Sequence, residues 1–214
     1  MIVFTAMNEA TTRDPDLTRS RILQAGFELF VDKGFAAVSM RELAQRSGVT
    51  KSLIHHHFGT KEGLWDAVKE AAFSRYYEGQ KDELEGADAP DSNLLRNGVI
   101  RYFRFLQENP QVVRLFTWMH LENDSTCSEM DAELVALGAR RVREAQEAGL
   151  LRADVNPTHV VTIFIHACSQ WFEVRPQHKN WEGIGSDDEY LEDFMKIFMD
   201  GLAPGAAGPE TDSN

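Results

Sequence analysis

The chain has 214 residues, 43% of them apolar and 26% charged, with a formal net charge of −12, a composition able to bury one large or two small cores. Its two cysteines, Cys127 and Cys168, lie far apart and outside any CxxC or Cys/His cluster. This excludes a disulfide framework and a zinc signature and fits a reducing cytoplasm. The opening MIVFTAM is only seven residues long, lacks a preceding basic region and runs into polar NEATTRD. Neither a signal peptide nor a membrane span is expected, and Met7 is a second candidate start.

The first expected helix runs from Leu17 to Lys33, where Leu23, Phe27 and Phe30 recur at the spacing of a buried stripe widened by Ile22 and Leu29. Gly34 should stop it, with Phe35 folding back. The next stretch, Ser39 to Lys61, reads SMRELAQRSGVTKSLIHHHFGTK and packs three helix starts and two glycine stops into little more than twenty residues. Ser39 and Glu42 have capping-box spacing. Met40, Leu43 and Ala44 form a short apolar stripe, and Gly48 stands where a left-handed residue is wanted. Thr50 is the next N-cap, and the helix it opens puts Ile54 and Phe58 on one face and Ser52, His55 and His56 on another. Gly59 ends that helix, and Thr60 caps a third. Two short helices joined by a glycine turn, the second exposing polar side chains, is the form in which a helix is presented to the major groove.

Downstream, Lys61 to about Leu84 is expected as one helix with Leu64, Val68, Ala71 and Ala72 inward, and GADAPDS, residues 86–92, as a linker. Helical patterns follow over 93–108, 110–121 and 129–148, the last ended by Gly149. Asn109-Pro110 and Asn156-Pro157 each offer an Asn N-cap with Pro at N1. The helix from Pro157 to about Val174 is apolar nearly all round, and Asp187 to Gly201 carries Tyr190, Leu191, Phe194, Ile197 and Phe198. Nothing sustains a period of two, so the expected fold class is all-α. The two late helices either cover each other within one chain or leave a patch for a second copy. Residues 203–214, rich in Gly, Ala and Pro, are expected to be a disordered tail.

A net charge of −12 argues against uniform attraction to DNA, but its distribution does not. Residues 1–70 hold nine Lys and Arg against nine Asp and Glu, so the whole excess lies in residues 71–214. Between Ser39 and Lys61 four bases (41, 46, 51, 61) face one acid. The partition runs in the direction DNA binding needs.

The run ELFVDKGFAAVSMRELAQRSGVTKSLIHHHFGTKEGLWDAV resembles the DNA-binding domain of TetR-like bacterial transcriptional regulators, over roughly residues 17–70. The resemblance implies a helix-turn-helix domain at 17–64 and a larger helical effector-binding and dimerisation domain at 65–202. It also implies a homodimer joined through the last two long helices, a palindromic double-stranded DNA operator and a small-molecule effector that lowers operator affinity. Control by a protein partner, or autoregulation without an effector, is the alternative. In this frame Thr50, Lys51, Arg41, Lys61 and the free amides of Thr60 and Lys61 are placed to meet phosphates, and Ser39, which caps the preceding helix, is also a candidate DNA contact. Ser52, Leu53, His55 and His56 form the reading face. The family's pattern has a tyrosine at the positions this chain fills with His55 and His57, and often a threonine where it has Leu53. Histidine can add a charge that tyrosine cannot. His57 lies beside Ile54 and Phe58 on the inward side. Candidate effector contacts are Phe105, Trp118, His120, His166, Gln170 and Trp171, with His166 and Gln170 one turn apart on an apolar helix.

The rival class is an enzyme, whose best case is His55-His56-His57 as a metal site. Adjacent helical residues point about 100° apart, so three in a row do not converge on one ion. No nucleophile elbow, phosphate loop or CxxC is present. The expected chain has no catalytic residue, no cofactor and no membrane association.

Overall fold

A computed structural model describes residues 15–124 and 129–204. The described residues form ten helices: α1 (Pro15–Ala37), α2 (Met40–Ser47), α3 (Lys51–Phe58), α4 (Lys61–Glu85), α5 (Ser92–Glu108), α6 (Pro110–Leu121), α7 (Glu129–Glu147), α8 (Pro157–Glu173), α9 (Arg175–His178) and α10 (Asp187–Leu202). The all-α expectation holds, with no strand among the described residues. None of these helices is long and apolar enough to cross a membrane. The expected second start at Met7, Cys127 and nearly all of the expected tail lie outside the described residues.

Two compact units divide the chain, one from Met1–Arg75 with Leu106–Ser128 and the other from Tyr76–Phe105 with Glu129–Asn214. In the first, Ile22, Phe27, Phe30, Leu43, Ile54, Leu64 and Val68 are almost completely buried, which is the stripe pattern read from the sequence. Phe30 meets Trp65 edge-on at 5.1 Å between ring centroids, and Phe35 closes the cluster 5.8 Å from Trp65. The expected back-folding of Phe35 is therefore present.

At Gly34 the backbone of α1 breaks, with φ 77° and ψ 171°. A broken helix leaves carbonyls and amides without their ladder partners, and α6 supplies replacements. Arg114 Nε donates to Val31 O at 2.6 Å, Arg114 Nη2 to Asp32 O at 3.1 Å, and Trp118 Nε1 to Val31 O at 3.1 Å. Beyond the break, Ala36 N donates to both oxygens of Glu122 at 3.0 and 3.1 Å. The end of α6 is tied to α4: Asp124 Oδ2 accepts from Trp65 Nε1 and Lys69 Nζ, each at 2.7 Å.

The second unit is an aromatic core. Phe103 packs on Phe172 at 4.8 Å, Trp171 stacks on Tyr190 at 3.9 Å, and Phe164 meets Phe198 at 6.4 Å. Gly138 lets α7 approach α8 closely, since a Cβ there would lie 3.3 Å from Val161 Cγ2. Arginines again bond the ends of helices, Arg141 Nε to Leu84 O at 2.7 Å on α4 and Arg152 Nη1 to Gly201 O at 3.2 Å on α10. The late helices do cover each other within the chain, yet Ile163 on α8 and Ile197 on α10 stay 54% and 75% exposed.

Two expectations need correction. Asn109 makes no side-chain cap for α6. As the single residue between two helices, it closes α5 with its amide to Leu106 O at 3.2 Å and opens α6 with its carbonyl to Val112 N at 2.9 Å. The turn α9 escaped the sequence reading because one helical turn containing Pro176 shows no periodicity. Asn156, by contrast, caps α8 through Thr158 N at 2.8 Å.

A Cβ on Gly34 would lie 2.7 Å from Trp118 Cε3 and 2.6 Å from Glu122 Oε1, at a φ that side chains rarely adopt. Gly34→Ala is expected to lower unfolding free energy by about 2–4 kcal/mol in urea denaturation, combining backbone strain with overpacking. An unchanged midpoint would mean that Trp118 moves aside without cost.

Candidate nucleic-acid interface

The capping box that opens α2 is complete. Ser39 Oγ accepts from Glu42 N at 3.2 Å, while Glu42 Oε2 accepts from Ser39 N at 2.9 Å. Lys33 Nζ lies 2.9 Å from the other carboxylate oxygen. The Lys33 ammonium first, then the Ser39 amide and hydroxyl, hold the Glu42 carboxyl down at about 2. Ser39 is thus a structural cap that fixes where α2 begins.

Gly48 ends α2 in the left-handed region, φ 70° and ψ 27°, and its amide bonds Ala44 O. Two residues later Thr50 opens α3, its hydroxyl accepting from Leu53 N at 3.3 Å. Ile54, fully buried, seats α3 on the core. Lys51, Ser52, His55 and His56 are exposed, while Leu53, His57 and Phe58 are intermediate. The structure therefore brings the expected reading residues onto one solvent face, with Leu53 at its margin and His57 turned partly inward. His56 and His57 rings contact each other edge-on at 5.4 Å.

Charge in space differs from charge along the motif. Lys61 does not reach outward: its Nζ donates to Phe35 O at 2.9 Å and Val38 O at 3.0 Å and sits 4.1 Å above the Phe35 ring. It fastens the start of α4 to the corner between α1 and α2, because those carbonyls lie past a broken helix end and need donors. The Thr60 amide is likewise not free, since it donates to Phe58 O at 2.8 Å. Arg46 Nε donates to Glu28 Oε2 at 2.7 Å, so this base is neutralised within the fold. Gln24 first, then Arg46, keep the Glu28 carboxyl below its ordinary range. Arg41 remains exposed on the first turn of α2.

Two bases missed by the motif reading come from α1. Arg19 lies over the Phe58 ring at 5.2 Å, and Arg21 Nη2 stands 2.8 Å from the position of a Cβ on Gly48. Both flank α3, one at each end. Their sequence signal was present, as bases just ahead of the apolar stripe, but nothing local says that α1 passes beside α3.

Among the expected effector residues, Trp118 and His120 belong to the first unit, and Phe105, His166, Gln170 and Trp171 to the second. Trp118 clamps α1, and His120 is exposed. His166 and Gln170 are exposed on α8, the same helix that exposes Ile163, so the buried polar pair inferred from an all-round apolar helix is not formed. Trp171 is buried with its Nε1 donating to Asp187 Oδ1 at 3.0 Å, and Phe105 stacks on Tyr76 at 4.9 Å. The polar interior lies elsewhere. Tyr102 OH and Ser169 Oγ are 2.9 Å apart, and Gln80 is buried with an Oε1 that has no partner among the described residues. Burial pushes the Tyr76 and Tyr102 hydroxyls upward, so both stay protonated.

Lys51→Ala is expected to reduce the salt slope of DNA binding by about one, whereas Lys61→Met should leave the slope alone and lower stability by about 1–3 kcal/mol. Binding titrations across a salt series and urea denaturation separate the two effects. The depressed Glu42 carboxyl adds stability that is complete above its ordinary value of 4.5 and is lost as pH falls through about 2. Glu42→Gln should abolish that part of the acid-induced loss, read as the difference between the two proteins' urea midpoints at pH 5 and pH 3.

Comparison with known proteins follows the same geometry. Residues 22–68 match the family model for bacterial regulatory proteins of the tetR family, and residues 95–191 match the tetracyclin repressor-like C-terminal domain. The HTH-type transcriptional activator FasR of Mycolicibacterium smegmatis is 28% identical over 164 residues, covering 73% of each chain. The HTH-type transcriptional repressor SCO4008 of Streptomyces coelicolor is 26% identical over 189 residues, covering 86% of this chain and 94% of its own. The crystal structure of SCO4942 from Streptomyces coelicolor superposes with a TM-score of 0.68 at 21% identity, over 88% of this chain and 99% of that one. One relative is named an activator and the other a repressor, so the likeness fixes the class without fixing the sign. With its capped α2–α3 pair, all-helical body and two matching domains, the chain belongs to the TetR family of bacterial regulatory proteins, as a DNA-binding transcriptional regulator and not an enzyme.

Proposed function

We propose that the protein is a ligand-responsive repressor that binds a palindromic operator as a homodimer. The observation that carries the DNA reading is the exposed polar face of α3 seated on buried Ile54, with Arg19 and Arg21 at its two ends. In this reading Lys51, Arg41 and the two α1 arginines meet phosphates, and Ser52, His55 and His56 face base edges, with Leu53 able to touch a thymine methyl. DNA binding resides in residues 17–64 and effector binding and dimerisation in 65–202.

Dimerisation is supported by Ile163 and Ile197, large apolar side chains exposed on two helices that pack against each other. A second copy covering them would remove that surface from water. Effector binding is supported by the polar groups inside the second unit. A ligand carrying a donor would satisfy Gln80 Oε1. Successive major grooves repeat at about 34 Å, so a ligand that shifts the two recognition helices by a few ångströms costs contacts on both half-sites.

Sedimentation analysis of Ile163→Asp with Ile197→Asp is expected to give monomers that bind a single operator at least tenfold more weakly than the wild-type dimer. Wild-type monomers at micromolar concentration would overturn the dimer. Footprinting on DNA upstream of the protein's own and neighbouring genes, repeated with a metabolite panel, should show a symmetric footprint that at least one metabolite releases saturably. Protection that no small molecule alters would overturn effector control.

A further inference from the structure

His55 uses one of its ring nitrogens inside the fold. Its Nδ1 lies 2.6 Å from Gly59 O, while the Gly59 amide donates to His55 O at 2.8 Å. Ring and backbone thus close one loop at the C-terminal end of α3. A carbonyl oxygen has no proton to give, so Nδ1 carries the proton and donates. The side chain nevertheless remains exposed on the face shared with Ser52 and His56.

A neutral imidazole has a single N–H. With that hydrogen committed to Gly59, Nε2 is left as a bare acceptor on the far side of the ring. The tyrosine that the family pattern places at this position donates through its hydroxyl and can serve a phosphate oxygen. Neutral His55 has nothing to offer a phosphate. Nor can it bond guanine N7 or O6 or thymine O4, which are acceptors themselves. The major-groove groups that present a hydrogen are adenine N6 and cytosine N4. Every base pair carries one of these amines, but at different places across the groove, so an acceptor fixed by Gly59 distinguishes strand and orientation.

We propose that His55 is a specificity-determining residue whose Nε2 accepts a hydrogen bond from an exocyclic amino group, adenine N6 or cytosine N4, on the strand it faces. The proposal rests on the reading above that α3 enters the major groove. It makes this position a base reader in a chain whose relatives' pattern has a phosphate-directed hydroxyl there.

The test is operator selection from a randomised pool at pH 8. The wild-type protein and His55→Phe are compared. One position in each half-site should prefer adenine or cytosine with the wild type and lose that preference, by about two- to tenfold, with the variant. Replacing the selected adenine by purine, or the selected cytosine by 2-pyrimidinone, removes only the amine. It should weaken the wild type by the same factor, leave the variant unchanged and identify which base supplies the group. Guanine or thymine at that position, or a wild type indifferent to amine deletion, would overturn the proposal. So would imidazole ¹⁵N shifts of the DNA-free protein showing His55 protonated at Nε2, a readout that needs no operator. A wild type that selects no sequence at all would instead overturn the groove-reading assignment, and this proposal with it.

Discussion

The structure of the first unit depends on how the broken end of α1 is satisfied. Carbonyls released by the turn at Gly34 would each cost desolvation if left unmade. Four side chains remote in sequence supply donors or acceptors there: Arg114 and Trp118 from α6, Glu122 just after it, and Lys61 from the start of α4. Because these bonds have fixed directions, they do more than stabilise. They hold the corner from which α2 departs, and so the angle at which α3 is presented. The same device recurs in the second unit, where Arg141 and Arg152 bond the ends of α4 and α10. Cations at helix C-termini also complement the macrodipole, so one arrangement answers both a hydrogen-bonding and an electrostatic need.

This explains why counting charges along the motif gives the right sign by the wrong residues. Of the four bases between Ser39 and Lys61, Arg46 is spent on Glu28 and Lys61 on backbone carbonyls. Two bases from α1 stand beside α3 instead. Which bases stand beside α3 therefore depends on how α1 passes the motif.

Much of the fold was legible because its signals are local. Capping boxes, glycine stops and Asn-Pro starts act within a few residues, and the helix limits read from them agree with the observed ones closely, from Ser39 and Thr50 to Asn156. Asn109 departs because a one-residue connection recruits its backbone for two helices at once. The candidate site was legible where exposure follows from a helix's own periodicity, as for Lys51, Ser52, His55 and His56. It was not legible where the answer depends on which helix lies across the way. His166 and Gln170 read as buried because α8 is apolar nearly all round, yet α8 has a face that its own chain does not cover. Gln80 and Tyr102 read as ordinary helix residues because nothing in their spacing reveals that Gln80 is buried or that Tyr102 of α5 meets Ser169 of α8.

The broken end of α1 also sets an order of events during synthesis. Its partners Arg114, Trp118 and Glu122 come 82 to 87 residues later in the chain. The helix-turn-helix is complete in local sequence by Lys61, but the corner that orients it cannot close until Glu122 has left the ribosome. A nascent or truncated chain ending before α6 carries every residue of the exposed α3 face without the side chains that close the corner beside it.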